Sequence, residues 1–381
     1  MNKREFLKAL SSMTAVAALG ACSSSVSIAE QGKVSALKKR RLYIDGLSFI
    51  PKEHLDVKAS ELNAYIADIS DIEAITMADS STNYKRTYKA CMASIKRHLK
   101  SMQENPDVYF LASKGSDIAL ANELDKCAVF LQIQGADCVE EDLNQLDEFY
   151  DLGLRALQLT HHYNNVYAGG ALSKGNIGLS SRGQALIERL EQKRMLIDLS
   201  HSSVASAEQT LALAKGPVVQ THGAARAIVN NARCTPDHVI KAIADSGGVF
   251  GVFMMSWWLT DSNVPRAEDY IKHLAHIKNI AGAQAVAIAN DYPLRGHEKA
   301  LASGNNNDLA IEGYKSWWQS NGDKGILGFD KDVNHIVIPE LNHIKRMRSI
   351  EHLLERAKFT SDEIDLVMGE NWQRVLVDIL G

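Results

Sequence analysis

Short apolar runs alternate with longer segments of helical hydrophobic spacing from Leu42 to the C-terminus. Near-continuous apolar runs are typical of parallel strands that are covered on both faces, and alternation with helices indicates parallel βα units. Eight such runs occur, at residues 42–44, 75–77, 129–133, 156–159, 195–199, 217–220, 249–254 and 286–289. The pattern predicts an α/β fold of the (β/α)8, TIM-like barrel type over residues 42–381.

The candidate chemistry lies just after these runs, because the C-terminal ends of barrel strands meet at one mouth. The residues at these places are Asp45 and Leu47, Gln134, His161, His201, His222 and Asp291. Histidine and aspartate side chains can bind a metal ion or transfer a proton. The spacing therefore predicts that His161, His201, His222 and Asp291 share one site.

Three stretches that end in these histidines resemble the membrane (renal) dipeptidase family, whose barrels carry two zinc ions. They read Leu-Gln-Leu-Thr-His at 157–161, Leu-Ile-Asp-Leu-Ser-His at 196–201 and Pro-Val-Val-Gln-Thr-His at 217–222. Shorter matches are Arg233 with Pro236 and Asp237, residues 247–249, His273 with His276 and Ile277, Asn290 with Asp291, and Gly369, Asn371, Arg374 and Val375. This ordered set implies a divergent, zinc-dependent dipeptidase of the amidohydrolase-like barrel superfamily.

The resemblance also implies roles for individual residues. His201 and His222 match the histidines that bind one zinc ion, and Asp291 matches a carboxylate that binds the other and acts in proton transfer. His161 matches the residue that orients the substrate and polarises its amide, although His162 is an alternative for this position. Arg233 matches the residue that pairs with the carboxylate of the substrate.

The chain departs from the family pattern at three metal ligands. The family's first strand ends in Asp-Gly-His-x-Asp, whereas this chain has Leu47 and Phe49 at the two ligand positions. Gln134 stands where the family has a bridging glutamate, and its amide oxygen is at best a weak ligand. We therefore expect at most one tightly bound zinc ion per chain. His54 and Asp56 repeat the missing His-x-Asp spacing downstream and are an alternative ligand pair.

The N-terminus resembles a bacterial lipoprotein signal. Basic residues precede a short apolar run at 13–21, and Leu-Gly-Ala-Cys at 19–22 is similar to a lipobox. This predicts a signal peptide at 1–21, a lipid anchor on Cys22, a tether at 22–41 and a location in the cell envelope. Lys3 and Arg4 leave both the general and the twin-arginine export routes open. A frayed cytosolic helix is the alternative.

Charge and cysteine content add limits to this interpretation. The formal net charge is −4, and no long basic stripe is present, so a nucleic-acid partner is not expected. Cys91, Cys127, Cys138 and Cys234 include no Cys-x-x-Cys pair; disulfides and buried free thiols both remain open. A homodimer is compatible with these features.

The leading hypothesis is metal-dependent hydrolysis of dipeptides or similar small amides outside the inner membrane. A non-catalytic barrel that binds a peptide or amino acid is the alternative, because three ligand positions are replaced. A one-metal amidohydrolase with another substrate is a further alternative. The pairs Trp257 with Trp258 and Trp317 with Trp318 are expected to pack beneath loops rather than line the pocket.

Overall fold

Eight parallel strands curve into a barrel in the computed structural model, which describes residues 41–76 and 82–381. The strands are β1 Ile44–Phe49, β2 Ala64–Asp68, β6 Cys127–Gln134, β7 Leu154–Gln158, β8 Leu196–Asp198, β9 Gln220–Gly223, β10 Phe250–Val252 and β11 Val286–Ile288. A hairpin of β3 Glu73–Thr76 and β4 Thr82–Lys85 lies outside the barrel, and β5 Tyr109–Leu111 pairs with β6. The predicted (β/α)8 fold is confirmed.

Two sheets join at both of their edges to close the barrel. One contains β1, β2, β6, β7 and β8 in that order, and the other contains β9, β10 and β11. Leu199 N donates to Val219 O at 2.9 Å between β8 and β9, and Asp291 N donates to Leu47 O at 2.9 Å between β11 and β1. Asp45 supports the second junction, because its buried carboxylate accepts a 2.8 Å hydrogen bond from Asn290 N.

One predicted strand was wrong and one barrel strand was missed. The run at 75–77 is not a barrel strand, since Ile75 pairs antiparallel with Asn83 in the hairpin; residue 77 lies outside the described residues. The second barrel strand is instead β2, with the sequence Ala-Tyr-Ile-Ala-Asp. Two of its five residues are alanine, which has a low β-propensity, so this strand has a weak sequence signal.

Helices follow the barrel strands and cover their outer faces. Their bounds are α1 Leu55–Ser60, α2 Tyr88–Gln103, α3 Asp117–Glu123, α4 Gln145–Asp151, α5 Ser181–Gln192, α6 Val204–Leu213, α7 Asp237–Asp245, α8 Ala267–Ala281, α9 Glu298–Ala302, α10 Asn307–Ile311, α11 Lys315–Asp323, α12 Arg346–Arg356, α13 Ser361–Asp365 and α14 Asn371–Leu380. Hydroxyl side chains cap α2, α5, α6 and α13 by accepting backbone N–H groups that the first helical turn leaves free; they belong to Thr87, Ser180, Ser203 and Thr360.

The last helix closes the end of the barrel opposite the site. Asn371 in α14 donates to Val286 O at the start of β11, and Trp372 donates to Ile288 O at 3.0 Å. A Cβ atom at Gly46 would lie 2.4 Å from the Trp372 ring, so this close contact requires glycine in β1. The packed lower half leaves the C-terminal strand ends as the open mouth.

Residues 41–381 form one compact unit, apart from the short segment 77–81 that is not described. The predicted signal peptide, Cys22 and nearly all of the tether lie outside the described residues. No helix within 41–76 or 82–381 has the length and apolar character needed to cross a bilayer. The four cysteines of the described part are all buried and free, so they form no disulfides there.

Candidate active site

A cavity of about 410 Å³ opens at the C-terminal ends of the strands, and its size is within the range of small-molecule sites. Residues from seven barrel strand ends and two outer segments line it: Phe49, Asp68, Arg86, Gln134, His161, His162, His201, Met255, Trp257, Trp258, Asp291, Tyr314 and Trp317. Of the predicted site residues, His161, His201, Asp291 and Gln134 are therefore brought together. His222 lies directly behind His201, and Arg233 lies behind His222.

His201 and His222 form the most ordered part of the site. Their Nε2 atoms are 2.9 Å apart, and Nδ1 of His222 is 2.9 Å from the hydroxyl of Thr221. Thr221 donates its single hydroxyl proton to buried Asp198 at 2.6 Å, so it accepts a hydrogen bond from Nδ1–H of His222. The lone pair of His222 is thereby fixed on Nε2, and a neutral imidazole in a fixed tautomer is a good zinc ligand.

Replacing Thr221 with valine is expected to weaken zinc binding about ten- to hundredfold, because His222 loses the contact that fixes its tautomer. Affinity is measured by competition with a chromophoric chelator. The matched control is Thr210→Val in α6, since the buried Thr210 hydroxyl donates only to Ser206 O in its own helix. Equal affinity of wild type and Thr221→Val would show that Thr221 does not set the ligand.

His161 and His162 both line the cavity. They differ in their contacts with His201, which bear on which of them could orient a substrate. The ring of His161 stacks on His201 with centroids 4.3 Å apart, whereas Nδ1 of His162 lies 3.1 Å from Nδ1 of His201. Burial lowers the pKa of His161, His201 and His222 well below the ordinary value and that of His162 to about 3. All four imidazoles are therefore neutral at physiological pH.

Asp291 lies opposite the histidines with an unusual backbone and a free carboxylate. Its φ is +54°, and that of His201 is +64°; such left-handed conformations are costly for residues other than glycine and are often found at functional sites. Within the described part of the chain, no hydrogen bond reaches the Asp291 carboxylate. Burial raises its pKa to about 7, and the nearby positive charge of Arg233 opposes this shift. Near neutral pH the carboxyl can therefore both hold and release a proton.

The three positions that depart from the family pattern offer a metal ion neither an imidazole nor a carboxylate. Leu47 is fully buried, and Phe49 presents an aromatic ring to the cavity. Gln134 donates its amide Nε2–H to Asp68 Oδ2 at 2.8 Å. The alternative ligand pair is engaged elsewhere, since His54 bonds to Tyr109 at 2.7 Å and Asp56 to Arg295 at 2.7 Å.

The side chains fit one metal ion at His201 and His222 but not the two-ion site of the resemblance. Two nitrogen ligands of a tetrahedral zinc ion lie about 3.3 Å apart, near the 2.9 Å between the Nε2 atoms. Among described His, Cys, Asp and Glu side chains, His161, His162 and His201 have ligand atoms all within 4.8 Å of one another. Neither His222 nor Asp291 belongs to that set, so the four residues that the family resemblance relates to the metal and the substrate do not form one compact group.

Arg233 is buried rather than presented to the cavity. It is 2 % exposed, its Nη2 donates to His222 O at 3.3 Å, and its guanidinium lies 5.0 Å from the ring centre of Phe253. Burial lowers its pKa to about 10, so the charge persists at neutral pH. Arg233 is therefore placed to act on Asp291 and His222 by its field, one layer below the cavity surface.

Four lining residues, Asp68, Arg86, Met255 and Tyr314, were not predicted from the sequence, and three tryptophans were misplaced. Asp68 ends the missed strand β2, and the apolar Ala-Tyr-Ile-Ala before it is the signal that could have found it. Arg86 follows the hairpin, and nothing in the local sequence marks it. The expectation that both tryptophan pairs pack beneath loops was wrong in part, because the lining residues include Trp257, Trp258 and Trp317. Trp318 does pack away from the cavity, against Phe329.

Comparison with known proteins finds dipeptidases among the relatives of this chain. Two curated relatives are a dipeptidase, verJ, of Clonostachys rogersoniana, 29% identical over 184 residues, and a dipeptidase, tcpJ, of Claviceps purpurea, 28% identical over 186 residues. Each alignment covers 48% of this chain and 47% or 44% of the relative. The aligned part of the chain thus spans about half the length of these relatives.

Solved structures share the fold at low sequence identity. An amidohydrolase from Pseudomonas aeruginosa superposes with a TM-score of 0.72 at 23% identity, covering 90% of this chain and 97% of that one. A metallopeptidase from Rhodobacter sphaeroides, bound to a phosphinate mimic of L-Ala-D-Ala, gives 0.69 at 15% identity over 89% and 99% of the two chains. The family model described as membrane dipeptidase (peptidase family M19) matches residues 57–304, well over half of the chain. The chain belongs to the membrane dipeptidase family.

Proposed function

We propose that this protein hydrolyses dipeptides or similar small amides with a single zinc ion held by His201 and His222. Family membership and fold support dipeptide hydrolysis. The observation that carries the single-ion form is the pair of Nε2 atoms 2.9 Å apart, one with its lone pair fixed by Thr221 and Asp198. Leu47, Phe49 and Gln134 leave no comparable ligand set for a second ion.

The cavity residues supply the remaining functions for this reaction. A bound zinc ion would polarise the amide carbonyl and acidify a water molecule. Asp291, with its free carboxylate and a pKa near 7, is suited to take a proton from the attacking water and deliver it to the leaving amine. His161 stacks on His201 and orients the amide beside it. Trp257 and Trp317 enclose the substrate and exclude bulk water.

The decisive experiment combines metal analysis with turnover on a panel of dipeptides. Protein purified without its leader should contain up to one zinc ion per chain and hydrolyse at least one dipeptide, and a chelator should remove both properties together. Turnover that persists after complete metal removal would contradict the proposal. Dipeptide binding without turnover, in protein loaded with zinc, would instead support the binding-protein alternative.

The replaced ligand positions favour the second candidate function, a binding protein without catalysis. Phe49 lines the cavity where the family resemblance expects a metal ligand, and Gln134 donates its amide to Asp68. A peptide or amino-acid receptor could use the same cavity without catalysis. The free Asp291 carboxylate argues for chemistry, because a buried acid without partners is costly to keep for binding alone.

We also propose that the protein is exported and held in the cell envelope by a lipid on Cys22. The support is the sequence at 19–22 and the short apolar run before it. Cys22→Ala is expected to move the protein from the membrane to the soluble fraction of cells, because the proposed lipid would no longer be attached. Fractionation followed by immunoblotting measures this; unchanged membrane association of the variant would contradict the lipobox interpretation.

A further inference from the structure

Arg86 is the one permanently cationic side chain among the described residues that line the cavity. It follows β4 directly and precedes Thr87, the capping residue of α2. Thr87 also donates its hydroxyl proton to Glu73 in β3 at 2.8 Å, which ties the base of the hairpin to the helix. Arg86 is thus presented to the cavity from an anchored piece of backbone.

The guanidinium of Arg86 has no partner of its own. Its Nε is buried without a hydrogen bond, and no ion pair or hydrogen bond with another described residue involves its side chain. Two carboxylates lie near it, and neither forms an ion pair with it. Asp68 accepts from Gln134 at 2.8 Å and from Ser70 N and Oγ at 2.9 and 2.6 Å, and Asp137 accepts from Asn165 at 3.1 Å. A charged donor left unpaired in a pocket is costly unless a ligand supplies the acceptor.

Arg86 also lies beside the residues expected to do the chemistry. Its Cδ would be 3.5 Å from a Cβ at Gly135, the residue after Gln134, so its stem passes over the end of β6. Its charge is among the causes that lower the pKa of His161 and His162. Arg233, which the family resemblance assigns to the substrate carboxylate, also has a buried Nε without a hydrogen bond, but it is 2 % exposed and is not among the residues that line the cavity.

We propose that Arg86 binds the free C-terminal carboxylate of the peptide ligand. A planar guanidinium matches a carboxylate with two parallel hydrogen bonds, and this match selects ligands with a free acid at that end. The inference rests on the proposed function only in taking a dipeptide-like molecule as the ligand; it requires binding and does not require hydrolysis.

The test compares two uncleavable ligands that differ only in this charge. They are an alanyl-alanine isostere with CH2–CH2 in place of the amide, as the free acid and as the C-terminal carboxamide. Calorimetric titration at neutral pH should show wild type binding the acid about ten- to hundredfold more tightly. Arg86→Gln should bring the ratio of the two dissociation constants close to one. Arg86→Lys should retain part of the wild-type preference for the acid.

The matched control is Arg182→Gln in α5, an exposed arginine paired with Glu141, which should keep the wild-type ratio. A ratio unchanged in Arg86→Gln, or its loss in Arg233→Lys with Arg86→Gln unaffected, would overturn the inference. So would a wild type that binds neither ligand or binds both equally. An intact preference lost in Arg86→Gln, in a protein that hydrolyses nothing, would support the inference while contradicting the proposed hydrolysis.

Discussion

His201→Ala is expected to abolish tight zinc binding and, with it, dipeptide turnover. The Nε2 atoms of His201 and His222 are 2.9 Å apart, so His201→Ala removes one of the two imidazoles that the family resemblance assigns to this ion. Removing even an outer-shell partner of a ligand typically weakens affinity ten- to hundredfold, and loss of the ligand itself should exceed about a hundredfold. Zinc content after dialysis against a weak chelator measures the effect.

The control for His201→Ala is His276→Ala, which removes a half-buried histidine of α8 that bonds to Asp237 at 2.9 Å. That variant should retain wild-type zinc content even if it unfolds at a lower temperature. If His201→Ala binds zinc as tightly as wild type, the ion is not held by this pair. The zinc ligands would then have to be sought among His161, His162 and the other side chains that line the cavity.

The triple variant Leu47→His, Phe49→Asp and Gln134→Glu is expected to raise zinc stoichiometry from at most one toward two per chain, with faster dipeptide hydrolysis. It restores the ligand types that the family resemblance assigns to the second position. In the wild type Asp68 accepts a hydrogen bond from the Gln134 amide; Gln134→Glu replaces this amide with a second carboxylate next to Asp68. Two adjacent carboxylates repel each other unless a cation lies between them, so metal binding and folding should become coupled.

The triple variant should be less stable than wild type without metal, because a histidine replaces the fully buried Leu47. Zinc should restore part of the lost thermal stability, and elemental analysis counts the ions. The single variant Gln134→Glu is the control, since it adds one carboxylate without the other two ligands and should stay at one ion or fewer. Two zinc ions in the unmodified protein would contradict the whole account of the site.

The sequence by itself determined the barrel and most of its mouth. Parallel strands are buried on both faces and so give continuous apolar runs, and the residue after each run lies at the strand end. This local rule placed His161, His201 and Asp291 around one cavity and His222 just behind it. It failed for β2, where alanines weaken the apolar signal, and at Ile75, where a hairpin outside the barrel has the same composition as a barrel strand.

Only the tertiary structure decided which side chains actually face the ligand. Arg86 reaches the cavity from the segment that follows the hairpin, a contact whose sequence spacing follows no local period, whereas Asp68 lines the cavity from the end of β2. Arg233 is withdrawn because the rings of Phe253 and Trp258 and the carbonyl of His222 hold it one layer down. The pKa of Asp291 depends on how deeply the carboxyl is buried and on which groups lie near it. Those neighbours are far apart in the sequence, so a local sequence pattern does not predict the pKa.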